Sequence, residues 1–117
     1  RQAMSSLVTS LKDNSWENRA AAGKALVTLS SADGLPPDDA VLRALTESLR
    51  DSRPEVRQNT AFGLSLLKAP SVVGALIPLV GDPDAGVRDN AVHALTTITG
   101  QNFGNDLARW RSWHGAA

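Results

Sequence analysis

Apolar side chains recur every three or four positions along most of the chain, which places them on one face of an α-helix. Three such sets lie within residues 7–11, 41–49 and 72–80. A second helix, rich in alanine and leucine, is predicted after each set, over about residues 16–30, 53–68 and 85–98. No segment shows the alternation of a half-buried strand. The pattern therefore predicts an all-α protein built from helix pairs.

Short polar turns separate the two helices of each predicted pair, with the sequences DNS, DSRP and DPDAG. Ser15 and Ser52 are expected N-caps of the second helices, and Pro54 suits a first helical turn, where its missing N–H would be unpaired anyway. Pro78 falls late in the fifth helix and should kink or end it. Gly100 is expected to end the sixth helix in the left-handed conformation.

The helix pairs repeat in sequence as well as in pattern. The segments 11–26 (LKDNSWENRAAAGKAL), 49–64 (LRDSRPEVRQNTAFGL) and 80–95 (VGDPDAGVRDNAVHAL) align without a gap. The first and second segments are farther apart in sequence than the second and third. A predicted loop, SSADGLPPDD, at 30–39 accounts for this difference. Repeated helix pairs that cannot bury their apolar faces alone form an α-solenoid. One domain over 1–117 is predicted, with repeats of about 1–34, 35–69 and 70–99 and a closing segment at 100–117.

Aligned positions carry the same polar residues, and these define a resemblance. The turn aspartate and the Val-Arg-Xaa-Xaa-Ala pattern in EVRQNTAFGL and GVRDNAVHAL resemble HEAT repeats, with Asn18 as a departure in the first unit. The short units resemble the compact bacterial type labelled phycobilisome-lyase-like, and the TGQNFG and WRSW segments resemble the end of some bacterial members. The resemblance implies a right-handed superhelix and a ladder in which each arginine hydrogen-bonds an aspartate of its own or a neighbouring turn. The ladder residues are Asp13, Arg19, Asp51, Arg57, Asp82 and Arg88.

Composition narrows the range of functions. The 117 residues include 12 basic and 12 acidic side chains, so no overall field favours nucleic acid or an anionic membrane. Cysteine is absent and only His93 and His114 are histidines, which offers no recognisable zinc or hydrolase constellation. An active site would also be built once, whereas the Asp/Arg pairs recur in every unit. We expect no catalysis, metal, cofactor, nucleic-acid partner or membrane insertion.

The C-terminal segment concentrates three of the five aromatic residues, Phe103, Trp110 and Trp113. Asn105 or Asp106 could cap a short helix whose apolar face carries Leu107, Trp110 and either Trp113 or His114. A terminal repeat leaves an apolar face uncovered, and these rings have the area to cover it. A stacking platform for a ligand is the alternative, but it would favour a basic groove that the neutral charge does not provide. We predict a structural cap, with Trp110 buried against the third repeat near Leu95 and Ile98.

Helical geometry divides the second helices into buried and exposed faces. Val56, Thr60, Gly63, Leu64 and Leu67 are expected inside, as are their counterparts Val87, Ala91, Ala94, Leu95 and Ile98. A narrow strip on the concave surface is expected to remain exposed. Its expected residues are Ala20, Lys24, Val27, Gln58, Phe62, Ser65, Asp89, His93 and Thr96. Because the side chains in this strip change from unit to unit, Lys24, Gln58, Phe62, Asp89, His93 and Thr96 are candidate partner-binding residues.

The sequence favours a non-catalytic module that binds a protein partner or serves as a scaffold. Because the chain starts at Arg1, we expect it to be part of a longer protein. By default we expect a soluble, cytoplasmic protein, and the sequence leaves an exported form open. The resemblance alone implies one alternative, a bilin-lyase-type subunit acting on phycobiliproteins, and a shifted absorption band on mixing with free bilin would distinguish it. A HEAT-like DNA glycosylase is disfavoured by the short length and neutral charge.

Overall fold

The computed structural model describes residues 2–32 and 38–116, and every regular element in these ranges is a helix. Of the loop predicted at 30–39, residues 33–37 lie outside the described part of the chain, whereas residues 30–32 and 39 are helical, so the predicted loop is too long at both ends. The helices are α1 (Gln2–Ser10), α2 (Trp16–Ala32), α3 (Asp39–Ser48), α4 (Pro54–Leu67), α5 (Val73–Leu76), α6 (Ala85–Thr99) and α7 (Leu107–Ala116). Short 3₁₀ helices, Pro70–Val72 and Ile77–Gly81, flank α5.

The helices form two layers with one continuous apolar core between them. The second helices stack side by side, α2 against α4 and α4 against α6, and each first helix packs on its own second helix. Leu26, Leu64 and Leu95, which are equivalent in the three repeats, are all fully buried at the centre of the core. This repeated packing of helix pairs is the predicted all-α solenoid.

Proline shapes the first helix of the third repeat. Only four residues of this element are α-helical, because Pro78 cannot donate the backbone hydrogen bond that would extend α5. The chain continues through the 3₁₀ helix Ile77–Gly81, which buries Ile77, Leu79 and Val80. The prediction that Pro78 would interrupt this helix is confirmed.

The turn aspartate, rather than the serine that follows it, organises the start of α4. The Asp51 carboxylate accepts a hydrogen bond from the backbone N–H of Arg53 at 2.9 Å. Arg53 is the N-cap of α4 and makes no side-chain capping bond, so the prediction of Ser52 as N-cap is wrong. Ser15 does accept from the Asn18 N–H, at 3.4 Å. An aspartate two residues before a free N–H competes with serine for the same role.

Two second helices end in a left-handed residue, as helices commonly do. Gly100 ends α6 with φ of 75°, as predicted. At the end of α4 the same conformation is adopted by Lys68, with φ of 53°. This lysine carries a cost that glycine avoids, because its Cβ crowds the backbone at positive φ.

Glycine allows α2 and α4 to approach closely. A Cβ placed on Gly63 would lie 2.6 Å from Cγ2 of Val27, well inside the van der Waals distance. The contact buries Val27, which was expected on the exposed strip. The same stacking repeats between α4 and α6, where the side-chain amide of Gln58 lies over Gly86. Close helix packing thus removes some of the predicted surface positions.

Candidate functional site

The repeated arginines join successive repeats. Arg19 donates through Nε to Asp51 Oδ2 at 2.7 Å and through Nη2 to Asp51 Oδ1 at 3.0 Å. Its Nη1 donates to the backbone carbonyls of Asp13 and Asn14, in its own turn. Arg19 therefore bonds its own turn through backbone carbonyls and the next turn through a carboxylate.

The second rung of the ladder repeats this geometry. Arg57 donates to the two oxygens of Asp82 at 2.9 and 3.0 Å, and its Nη1 donates to the carbonyl of Asp51 at 2.8 Å. The Asp82 side chain is almost completely buried, at 6% exposure. The buried carboxylate of Asp82 is stabilised because its oxygens accept hydrogen bonds from the Arg57 guanidinium and from the backbone N–H of Asp84. These paired groups act as structural links between the repeats.

The pKa of Asp51 shows which interactions dominate at the first rung. Burial alone would raise the pKa of this carboxyl. The hydrogen bond from Arg19, the backbone N–H of Arg53 and the charges of Arg19 and Arg57 together outweigh burial. The pKa of Asp51 therefore lies below its usual value, and the ionised form is the one the fold stabilises.

The C-terminal aromatic residues form a cluster on the third repeat, with Trp110 as its buried member. Trp110 is fully buried, and its indole N–H donates to the carbonyl of Gly104 at 2.8 Å. Phe103 packs edge-on against Trp110 with ring centroids 4.9 Å apart, and half-buried Trp113 contacts both rings. Asp106 supplies the N-cap of α7 by accepting from the N–H of Arg109. The predicted burial of Trp110 and partial burial of Trp113 are confirmed.

The direction of α7 shows that this helix closes the stack. Leu107, at its start, lies against Gly81, and His114, near its end, lies against Gly74. It therefore runs antiparallel to the 70–81 segment. Equivalent helices of successive repeats share one direction, because repeats stack by small rotations. The helix is accordingly a reversed lid over the third repeat.

The exposed side of the second-helix layer carries an aromatic pair. Phe62 on α4 is 49% exposed, and its ring lies nearly parallel to that of exposed His93 on α6, with centroids 6.5 Å apart. Leu66, one turn after Phe62, is 55% exposed. We define the second-helix surface as the exposed residues Lys24, Phe62, Leu66, Asp89 and His93 of α2, α4 and α6.

Other predicted strip positions are less available. Ser65 is buried, because its hydroxyl turns back to donate to the carbonyl of Phe62. Gln58 is half-buried: its side chain covers Gly86, and its backbone carbonyl oxygen accepts a hydrogen bond from the Asn90 side-chain amide at 3.0 Å. Ala20 and Thr96 are also half-buried. The exposed surface is therefore centred on the Lys24, Phe62 and His93 row.

Two features of this region were missing from the sequence prediction. Leu66 lies one helical turn beyond Phe62, and the equivalent positions are Thr28 and Thr97, so comparison of the aligned columns could have revealed it. The guanidinium of Arg53 lies 4.5 Å from the ring centre of Trp16, which links the first two turns. No pattern in the sequence pairs these two residues, since the contact depends on how the turns stack.

The remaining structural findings bear on the class of site. Among the described residues, no group of three or more histidine, cysteine or carboxylate side chains is placed to hold a metal ion. No helix within the described ranges is long and apolar enough to cross a membrane.

The geometry defines an α-solenoid whose repeats are joined by Arg–Asp rungs. Comparison with protein families matches residues 42–109, more than half of the chain, to HEAT repeats. The chain belongs to the HEAT-repeat family. Comparison with curated proteins gave no significant match. HEAT repeats commonly mediate protein–protein interaction or scaffolding.

Proposed function

We propose that this chain is a non-catalytic protein-binding module and that its partner docks on the second-helix surface. The observation that carries the proposal is the half-exposed ring of Phe62 beside His93. Aromatic side chains are enriched at the energetic centres of protein interfaces. Phe62 is therefore the expected anchor.

The surroundings of Phe62 support a binding surface rather than an isolated exposed ring. Leu66 extends the apolar area along α4, while Lys24 and Asp89 supply charges of both signs on the neighbouring helices. An apolar centre with a polar rim is the usual arrangement of a protein interface. The underlying helices are fixed by the two Arg–Asp rungs and the buried core, so the surface is rigid before a partner binds.

Site-specific photo-cross-linking tests the proposal. A photoreactive phenylalanine replaces Phe62 in one variant and exposed Arg43, on the first-helix layer, in a matched control. Both are irradiated in an extract from the source cells. A protein cross-linked through position 62 and not through position 43 supports the proposal. Equal cross-linking at the two positions, or cross-linking at position 43 alone, contradicts it.

A further inference from the structure

The arginine of the third repeat is held like those of the first two. Arg88 donates through Nη1 to the backbone carbonyls of Asp82 and Pro83 at 2.8 and 3.1 Å. The corresponding distances from Arg19 to Asp13 and Asn14 are 2.8 and 3.2 Å. Both guanidinium groups are therefore fixed by their own turns in the same manner.

The two arginines differ in what faces their remaining donors. Arg19 and Arg57 each use Nε and Nη2 to hold an aspartate of the following repeat at two points. Within residues 2–32 and 38–116, no carboxylate lies within 4.0 Å of the Arg88 guanidinium. Arg88 is half-buried, and among the described residues neither its Nε nor its Nη2 donates a hydrogen bond, so this pair of donors is free at the C-terminal edge of the described solenoid.

We propose that Arg88 is a carboxylate-binding site for an aspartate or glutamate side chain of a partner polypeptide. The structure already contains this interaction twice, because Arg19 and Arg57 each hold a carboxylate through Nε and Nη2. Guanidinium and carboxylate make paired, charge-assisted hydrogen bonds in this arrangement. The backbone carbonyls already restrict the arginine side chain, so binding costs little of its conformational freedom.

The neighbouring elements determine the size and charge of the ligand. The lid α7 covers the 70–81 segment, where the first helix of a following repeat or of a second copy would stack. Because Arg88 is only half-buried, its remaining surface is open to a narrow segment of a partner. Asp84 and exposed Asp89 lie close to Arg88 in sequence, and their charges oppose a dianion more strongly than a carboxylate. These features favour a single carboxylate over phosphate.

The site is testable without an identified partner and does not depend on the proposed second-helix surface. Side-chain Nε–H signals of the ¹⁵N-labelled chain are followed by NMR during titration with N-acetyl-aspartate N-methylamide at constant ionic strength. The asparagine analogue is the uncharged control, and inorganic phosphate is titrated separately. Arg57, already paired, and exposed Arg111 are internal controls, while Arg88→Lys identifies the Arg88 signal.

The proposal predicts a saturable shift of the Arg88 Nε–H signal with the aspartate compound, several-fold larger than that of Arg111. The Arg57 signal should not move, and Arg88→Lys should abolish saturable shifts at the backbone amides of Asp82 and Asp84. Equal shifts at Arg88 and Arg111, or equal shifts with the asparagine analogue, would show that no such site exists. Tighter binding of phosphate than of the aspartate compound would overturn the carboxylate assignment.

Discussion

Arg57 and Asp82 are 25 positions apart in sequence, and two hydrogen bonds of 2.9 and 3.0 Å join their side chains. The pair connects the start of α4 to the turn of the third repeat, and the Asp82 side chain is buried. A carboxylate in this position is stable only with its partner. The rung therefore couples the folding of two adjacent repeats.

Removing Arg57 should destabilise the fold more than removing the equivalent Arg88. Arg57→Ala should lower the free energy of unfolding by about 2 kcal/mol or more, because it leaves the Asp82 charge buried without its partner. Arg88→Ala loses only hydrogen bonds to carbonyls of its own turn and should cost about 1 kcal/mol. Urea unfolding followed by circular dichroism measures both. Equal losses would show that the inter-repeat ion pair is not what stabilises the junction.

The first rung should lose its effect in acid. Because the pKa of Asp51 is lowered in the folded chain, its stabilisation is present above the unfolded pKa of about 4 and disappears as pH falls through the folded pKa. The stability difference between the natural chain and Asp51→Asn should be constant from pH 7 to 5 and shrink below about pH 4. A difference that is unchanged at pH 3 would contradict this assignment of the ionised form.

Gly63→Ala should destabilise the fold although alanine is the better helix former. The new methyl group would clash with Val27, at a cost of about 1–3 kcal/mol, against a helix-propensity gain of about 0.5–1 kcal/mol. Gly23→Ala is the matched control, since its Cβ would meet Leu11 at an ordinary 3.7 Å and should be stabilising. Urea unfolding measures these changes. In a Val27→Ala background, Gly63→Ala should no longer lower the free energy of unfolding. A penalty that persists there would place the cause outside this contact.

The lid should contribute most of its stability through Trp110. Trp110→Ala should cost about 3–5 kcal/mol of unfolding free energy, and Trp113→Ala should cost less, because only the first ring is fully buried.

Tryptophan fluorescence tests whether the lid is closed. In a Trp16→Phe background, the emission of Trp110 and Trp113 should be blue-shifted and resistant to quenching by acrylamide. A chain truncated after Thr99 should aggregate through its uncovered face. Freely quenched, red-shifted emission would instead indicate an open aromatic platform.

The sequence predicted the parts of the molecule that repeat. The ladder aspartates and arginines recur at aligned positions, and the apolar spacing fixed which side of each second helix is buried. The pairing of Arg19 with Asp51 depends on how repeats stack, so the sequence alone left open whether the aspartate belonged to the same turn. The burial of Val27 depends on the close approach of two helices at Gly63, which no periodicity within one helix reports.

For the lid, too, the sequence predicted one property, the burial of Trp110, and left another, the direction of α7, open. Its composition predicted that Trp110 would be buried, because two indole rings and Phe103 provide a large apolar area that is stabilised by packing against the third repeat. The direction of α7 is determined by the path of residues 100–106 and by the glycines at positions 74 and 81, which make room for Leu107 and His114. These are contacts between distant parts of the chain. Local sequence patterns do not encode them.

The most direct test of the proposed function is the affinity of the partner recovered by cross-linking at position 62. Calorimetric titration would compare the natural chain with Phe62→Ala and with Arg43→Ala, after circular dichroism confirms that both variants keep their helical content. The second-helix surface predicts at least about a tenfold loss of affinity for Phe62→Ala, as for an interface anchor, and no change for Arg43→Ala. Full affinity of Phe62→Ala would contradict the proposed binding surface.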